Sequence, residues 1–362
     1  MRQVTIKNIA NKLNISPSTV SRALNDHPDI RIHTKDLVKK AASELGYNPN
    51  IIARNLKSNK SKQIGVIVPE IRHDFFANAI SGIEEVAYQK GYTIIIAQSN
   101  EQQEREIINL DSMYLHRVAG IIVSISQTTT NSSHFQRLLD KGINIVFFDR
   151  VCYDIDTPKI HIDDLESSYE VVEYLIKRGY EKVVHFAGPQ ILRICKNRKL
   201  GYEKALIKLK VNYAPIIFEG GMHEKDGYNH VNDLINSGIK SCAIFAVNDP
   251  VAKGAMKRLK ELNIDVPGQI GIVGFSNNPI TEMISPALTT VDQPSFEMGK
   301  KAAEILINGI ENPDESNSNI DIKLDTSLII RESTWYFLLT NLQIFDGIQI
   351  WFLNKAKEDL IH

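Results

Sequence analysis

The run Ser16-Pro17-Ser18-Thr19-Val20-Ser21-Arg22-Ala23-Leu24-Asn25 places hydroxyls and a guanidinium on one side of a predicted helix. With Val20, Ala23 and Leu24 turned inward, Ser18, Thr19, Ser21 and Arg22 face out. Hydroxyls bond several base edges and arginine grips guanine O6 and N7, so this face has the chemistry of a major-groove reader, although an ordinary polar helix surface has the same composition. A second constellation lies further along. Asp149 follows the apolar Val146-Phe147-Phe148, Asp249 follows Ile244 to Asn248, and Arg198 stands between them in sequence. A carboxylate accepts and an arginine donates several hydrogen bonds, so Asp249 with Arg198 could hold vicinal hydroxyls. Phe75, Phe76 or Phe218 could cover the apolar face of a sugar ring. The aspartates could equally cap the helices after them, and Asp249 before Pro250 suits capping well.

Catalytic chemistry finds no support. The ten histidines have no partner at metal-ligand spacing, and neither a phosphate-binding glycine loop nor a nucleophile elbow appears. The reading is therefore of a protein that is not an enzyme and needs no cofactor or metal. His185, inside an apolar strand, reads as a satisfied core residue. Cys152, Cys195 and Cys242 cannot all pair internally, which predicts buried or free thiols in a reducing compartment. Met1-Arg2-Gln3 leads into a polar helix without the features of a secretory leader, so a cytoplasmic location is expected.

The elements that must position these residues follow from periodicity. Thr5 can cap a helix with Ile6, Ile9, Ala10 and Leu13 on one face; Asn14-Ile15 turns the chain; Ser16 caps the next helix, with Pro17 at its first position. The whole chain carries 42 Lys+Arg against 43 Asp+Glu, yet Met1 to Lys62 holds 12 against 4. A basic head of about +8 thus precedes an acidic body of about −9, and the excess coincides with the helix-turn-helix pattern. Between them, Asn48 to Ser61 can start a short helix at Pro49 that places Ala53, Leu56 and Lys57 on one face but is too short to stand alone.

Beyond residue 62, apolar strands alternate with helical patterns. Strands are predicted at Gln63 to Pro69, Thr93 to Ala97, Gly120 to Ile125, Asn144 to Phe148, Lys182 to Ala187, Ala243 to Val247 and Ile270 to Phe275. Helices are predicted at Ala77 to Lys90, Glu104 to His116, Ser133 to Lys141, Leu165 to Arg178, Arg198 to Leu209, Gly227 to Asn236 and Val251 to Leu262. Continuous apolar strands with crossover helices mean parallel sheets covered on both faces, and some 270 residues of them exceed one sheet. Two α/β lobes with a ligand cleft between them, at the carboxyl ends of the strands, are the natural solution.

The motifs Val4-Thr5-Ile6-Lys7, Ser16 to Asn25, Leu45-Gly46-Tyr47-Asn48-Pro49-Asn50 and Ala53-Arg54-Asn55-Leu56 resemble the head and hinge of LacI/GalR-type transcriptional regulators. In the body, Arg198 to Tyr202, Ala246 to Pro250, Val273-Gly274-Phe275 and Leu288 to Pro294 extend the resemblance to about Thr334. The resemblance implies an α/β fold: a three-helix DNA-binding head over 1–47, a hinge helix and linker over 48–62, and a two-lobed body over 63–334. That body would be like periplasmic sugar-binding proteins, with crossovers near Asp163, Asp292 and Lys323. Ser18, Thr19 and Arg22 would work in the major groove, Thr5, Asn25 and Tyr47 would touch phosphates, and Leu56 would wedge open a minor-groove base step. Ser16, Pro17, Ser21, Asn50 and Ala53 complete the DNA-facing candidates. The ligand-facing candidates are Phe75, Phe76, Ser124, Asp149, Arg198, Phe218, Asn248, Asp249, Ser276 and Gln293. The implied partners are a double-stranded DNA operator, a small effector of sugar type and a second copy of the chain as a homodimer, with no membrane.

Some positions depart from that pattern. Ser276 stands where an acidic ligand contact is common, His73-Asp74 precedes Phe75-Phe76 where Asn-Pro is common, Ala119 replaces an aspartate, and Arg31-Ile32-His33 replaces the cap of the third head helix. The pattern ends near Thr334, yet Trp335 to His362 continues in an apolar run that reads as a packing segment, an oligomerising helix or a non-functional extension. Asp346 and Gly347 split it too finely for a membrane span. A sugar-binding protein without DNA function and a sugar-processing enzyme are the alternatives; the first lacks use for a basic head and the second lacks a catalytic constellation.

Overall fold

The computed structural model describes residues 4–47, 61–313 and 320–334. Two compact units divide the chain, Met1–Ser61 and Lys62–His362.

In the first unit, α1 (Ile6–Leu13), α2 (Pro17–Leu24) and α3 (Ile32–Glu44) enclose Ile9, Ala10, Val20, Ala23, Val38, Ala41 and Ala42. Asn8 Oδ1 accepts from both the Thr5 backbone N–H (2.9 Å) and the Thr5 hydroxyl (2.7 Å), fixing the start of α1. Asn14 adopts the left-handed conformation that ends this helix, as asparagine does at modest cost. Ser16 then caps α2 by accepting from the Thr19 N–H at 3.0 Å, with Pro17 at the first helical position. Arg31 gives α3 no side-chain cap.

The second unit contains two six-stranded sheets. The first has the order β11-β5-β4-β3-β1-β2, built from β1 (Gln63–Val68), β2 (Thr93–Gln98), β3 (Gly120–Val123), β4 (Asn144–Phe148), β5 (Lys159–Ile162) and β11 (Asp321–Leu324), all parallel. The second has the order β12-β10-β9-β8-β6-β7, built from β6 (Val183–Ala187), β7 (Ile216–Glu219), β8 (Cys242–Ala246), β9 (Ile270–Ser276), β10 (Thr289–Asp292) and β12 (Ser327–Ile329). Only β12 runs antiparallel to its neighbour. Helices α4 (Asp74–Gln89), α5 (Gln103–Leu115) and α6 (Ser133–Leu139) serve the first lobe. The second has α7 (Asp164–Lys177), α8 (Arg193–Lys208), α9 (Glu224–Asn236), α10 (Asp249–Glu261) and the short α11 (Ile280–Met283). The chain passes between the sheets three times: after β5, after β10 and after β11.

Two differences from the sequence reading bear on the site. Helix α4 begins at Asp74 rather than Ala77, and α8 at Arg193 rather than Arg198, so Phe75, Phe76 and Arg198 sit inside helices. A long helix absent from that reading, α12 (Ser295–Glu311), returns from β10 to the first lobe and crosses α4 at backbone distance. A Cβ on Gly82 would lie 2.1 Å from the Phe296 carbonyl, and one on Gly299 would lie 2.0 Å from that of Ala79. Only glycine permits this approach. No helix among the described residues is long and apolar enough to cross a membrane.

Candidate functional site: an exposed hydroxyl helix and a cleft between two lobes

On the head, Ser18 and Arg22 are exposed on α2, with Thr19 and Ser21 half-buried beside them. The Ser16 hydroxyl lies 2.7 Å from that of Ser18 and 2.8 Å from that of Thr19, so capping and the hydroxyl face are one cluster. Among the described residues the Arg22 guanidinium makes no hydrogen bond or ion pair. Asn25 donates to the Ser21 carbonyl (2.8 Å), while Thr5 and Pro17 are exposed and Tyr47 is half-buried against the head core. Asn50, Ala53 and Leu56 lie outside the described residues, as does the segment from Trp335 to His362.

In the body, a narrow pocket of about 50 Å³ lies between the lobes. The first lobe lines it with His73, Phe75, Phe76, Glu101, Gln127, Asp149 and Arg150; the second with Ile194, Arg198, Met222, His223, Asn248, Ser276 and Gln293. Asp149 follows the last residue of β4 and Ser276 ends β9, and both have positive φ, 60° and 121°. Such backbone in a non-glycine residue is costly and clusters at binding sites.

On the first wall, Arg150 holds Glu101 with a single nitrogen 2.9 and 2.8 Å from its two oxygens and reaches across to Met222 Sδ at 3.9 Å. The Asp149 carboxylate stands 3.9 Å from Arg150 Nε, with the buried Ser124 hydroxyl 3.5 Å away. Burial pushes the Asp149 carboxyl up to about 6, against the pull of Arg150. Phe76 meets Phe75 edge-on at 5.2 Å, and the Arg150 guanidinium lies 5.8 Å above its ring.

On the second wall the charges are already engaged. Arg198, 2% exposed, donates to Asp164 (2.8 Å) and to the Val247 carbonyl (2.6 Å), and its guanidinium lies 3.7 Å from the Phe275 ring. Burial raises the Asp164 carboxyl above its usual range, with Arg198 drawing it back. Asp249 is not the helix cap that its place before Pro250 suggested. Asn248 caps α10, accepting from the Val251 N–H at 2.9 Å while its amide donates to the Met222 carbonyl at 2.9 Å. The Asp249 carboxylate instead accepts from the Thr290 hydroxyl (2.6 Å) and the Asn278 N–H (2.7 Å), fixing the loop after Ser276. Gly274 makes room for it, since a Cβ there would lie 2.2 Å from Asp249 Oδ1. Burial pushes this carboxyl, too, up to about 6. The Ser276 hydroxyl donates to Gln293 Oε1 (2.8 Å).

Of the ligand candidates, Phe75, Phe76, Asp149, Arg198, Asn248, Ser276 and Gln293 meet at the pocket. Ser124 and Asp249 sit behind its walls, and Phe218, on the edge strand β7, packs against Phe186 and His230 and does not line the pocket. Glu101, Gln127, Arg150, Ile194, Met222 and His223 were not read from sequence. Arg150 immediately follows Asp149 and was the one with a visible signal. Two buried donors on the pocket wall, Arg150 Nε and Gln293 Nε2, have no hydrogen-bond partner among the described residues, and they come one from each lobe.

Residues 5–50 match the family described as bacterial regulatory proteins, lacI family, and residues 61–332 match periplasmic binding proteins and sugar binding domain of LacI family. The chain belongs to the LacI family. The HTH-type transcriptional repressor CytR of Escherichia coli (strain K12) is 32% identical over 91% of this chain and 96% of its own length. The lac repressor dimer bound to operator and the anti-inducer ONPF shares the fold, with a TM-score of 0.82 at 22% identity over 92% of this chain and 100% of that one. A periplasmic binding protein/LacI transcriptional regulator from Alkaliphilus metalliredigens QYMF, complexed with D-xylulofuranose, gives 0.67 at 29% identity over 76% of this chain and 100% of its own. The protein is thus a LacI-family transcriptional regulator with an effector-binding domain, and it is not an enzyme.

Proposed function

We propose that the effector is a small polyhydroxylated molecule, a sugar or sugar derivative, held between the lobes, and that it sets the operator affinity of a cytoplasmic homodimer. The observation that carries this reading is the pair of unpartnered buried donors, Arg150 Nε and Gln293 Nε2, on opposite walls of one pocket. Buried donors are mostly satisfied in native proteins, and a ligand with acceptors on both sides would satisfy these two together. Asp149 supplies the complementary acceptor and Phe75 and Phe76 the apolar contact, a set that suits a ring bearing hydroxyls on its rim and C–H groups on its faces. D-Xylulofuranose in the Alkaliphilus relative supports the same chemistry.

On the head, Ser18, Thr19 and Arg22 read base edges while Thr5, Asn25 and Tyr47 touch phosphates, and Ser16, Pro17 and Ser21 complete the DNA-facing set; Asn50, Ala53 and Leu56 act from the hinge, Leu56 as the wedge. Dimerisation rests on the first lobe, where β2 is a sheet edge and Tyr88, Ile96, Ile108 and Leu115 are exposed around it. Two-fold symmetry then matches a pseudo-palindromic operator. Fluorescence anisotropy with duplexes from the gene's own upstream region, with and without pentoses, hexoses and nucleosides, tests the effector reading. A shift in operator affinity with a sugar or nucleoside supports it. Specific DNA binding indifferent to every polyhydroxylated compound, but responsive to an apolar or purely anionic one, overturns it.

A further inference from the structure

Sequence spacing shows no metal motif, yet folding brings Glu70, His73 and His223 together at the edge of the pocket, their ligand atoms all within 4.8 Å of one another. Glu70 and His73 follow β1 in the first lobe, and His73 immediately precedes α4. His223 precedes α9 in the second lobe. We propose that these three residues bind a divalent transition-metal ion of the zinc class, bridging the two lobes.

The donor set is one carboxylate and two imidazoles, which zinc takes with a fourth position left open. Ligand atoms about 2.0–2.1 Å from a tetrahedral zinc stand roughly 3.3 Å apart. Glu70 Oε2 and His73 Nε2 stand 3.3 Å apart. His73 makes no capping hydrogen bond to the helix it precedes, so its ring is not held by that task. His223 is exposed and its side chain takes part in the capping box that opens α9 with Asp226, so ion binding has to turn its ring away from that task.

The competing charges are two. Arg72 Nε lies 3.2 Å from the same Glu70 oxygen, but its side chain is 78% exposed and moves into water at little cost. Arg150 lies further along the wall and is held by Glu101. A bound ion therefore ties lobe to lobe beside the effector pocket and favours the arrangement in which they meet, a second input to the population of lobe states. This stands apart from the effector's identity.

The test uses the full chain stripped with EDTA and dialysed, titrated calorimetrically with zinc chloride alone. Wild type should bind one equivalent that His73→Ala and His223→Ala each weaken by at least about tenfold, a loss at either lobe being the mark of a bridge. Arg72→Ala, at an exposed position, should tighten the same event severalfold by releasing Glu70. Scattering should show zinc reducing the radius of gyration of wild type but not of His223→Ala. No zinc binding by wild type, or equal binding by wild type, His223→Ala and Arg72→Ala, overturns the proposal. Sugar response is read separately, so neither result depends on the other.

Discussion

The two walls of the cleft use the same residue types for opposite purposes. On the second lobe, Arg198 and Asp249 look like ligand residues in sequence, but their hydrogen bonds run inward, to Asp164 and Val247 and to Thr290 and Asn278. On the first lobe, Arg150 Nε makes no hydrogen bond, and Asp149 keeps only long contacts, with Ser124 at 3.5 Å and with that nitrogen at 3.9 Å. One wall has fixed its charges to hold shape, leaving the Gln293 amide nitrogen to face the pocket. The other ties Arg150 to Glu101 but leaves its Nε and the Asp149 carboxylate loosely held at the pocket. An arginine in a cleft is thus read from what it already holds rather than from where it stands.

The largest effect separating the walls should come from Arg198→Ala, which leaves Asp164 buried without its partner and should cost about 3–5 kcal/mol of unfolding free energy. Urea denaturation measures it, and a near-neutral result would place Arg198 with the adjustable wall. Arg150→Ala should do the reverse. Its partner Glu101 remains partly exposed and Asp149 is held only at 3.9 Å, so stability should fall by less than for Arg198→Ala, while effector affinity measured by calorimetry falls by about 1.5–3 kcal/mol, the worth of charged hydrogen bonds. Asn248→Ala removes the cap of α10 and the link to Met222, a loss of about 1 kcal/mol in the same denaturation assay, whereas Asn248→Ser should recover the cap alone.

The smallest effect is a pH dependence. Asp149 is pushed up to about 6 by burial, above the roughly 3.9 of an unfolded chain, so the folded state holds the extra proton between these values. Its contribution therefore improves as pH falls through 6 towards 4, and the cost of the charge is in full force above 6. Relative to Asp149→Asn, wild type should gain about 1 kcal/mol between pH 7.5 and pH 5. A difference that stays flat with pH would mean that the carboxylate is better solvated than its burial implies.

The alternation of strands and helices was legible because central parallel strands such as Ile64 to Val68 are apolar throughout. The strands that escaped notice are short or polar. Strand β5 reads Lys-Ile-His-Ile, and its buried Lys159 is satisfied only by the Ile155 and Thr157 carbonyls, partners no periodicity reveals. Helix α12 was hidden for another reason: Gly299 and Ala302, weak marks of an apolar face, serve a close crossing that exists only once α4 is in place. In the site, residues at strand ends were readable since topology delivers them to the cleft. Glu101 and Arg150, 49 positions apart, meet through a loop fold that sequence does not encode locally.

The three passages between the sheets carry a mechanical consequence. Two bodies joined by one strap can swing in any direction, but three straps leaving one sheet and entering the other leave chiefly a single angle free. Whatever a ligand's chemistry, the only message it can send through such a joint is how far that angle has closed. Recognition and signalling are therefore separable: the pocket can change its taste without changing what the rest of the protein hears.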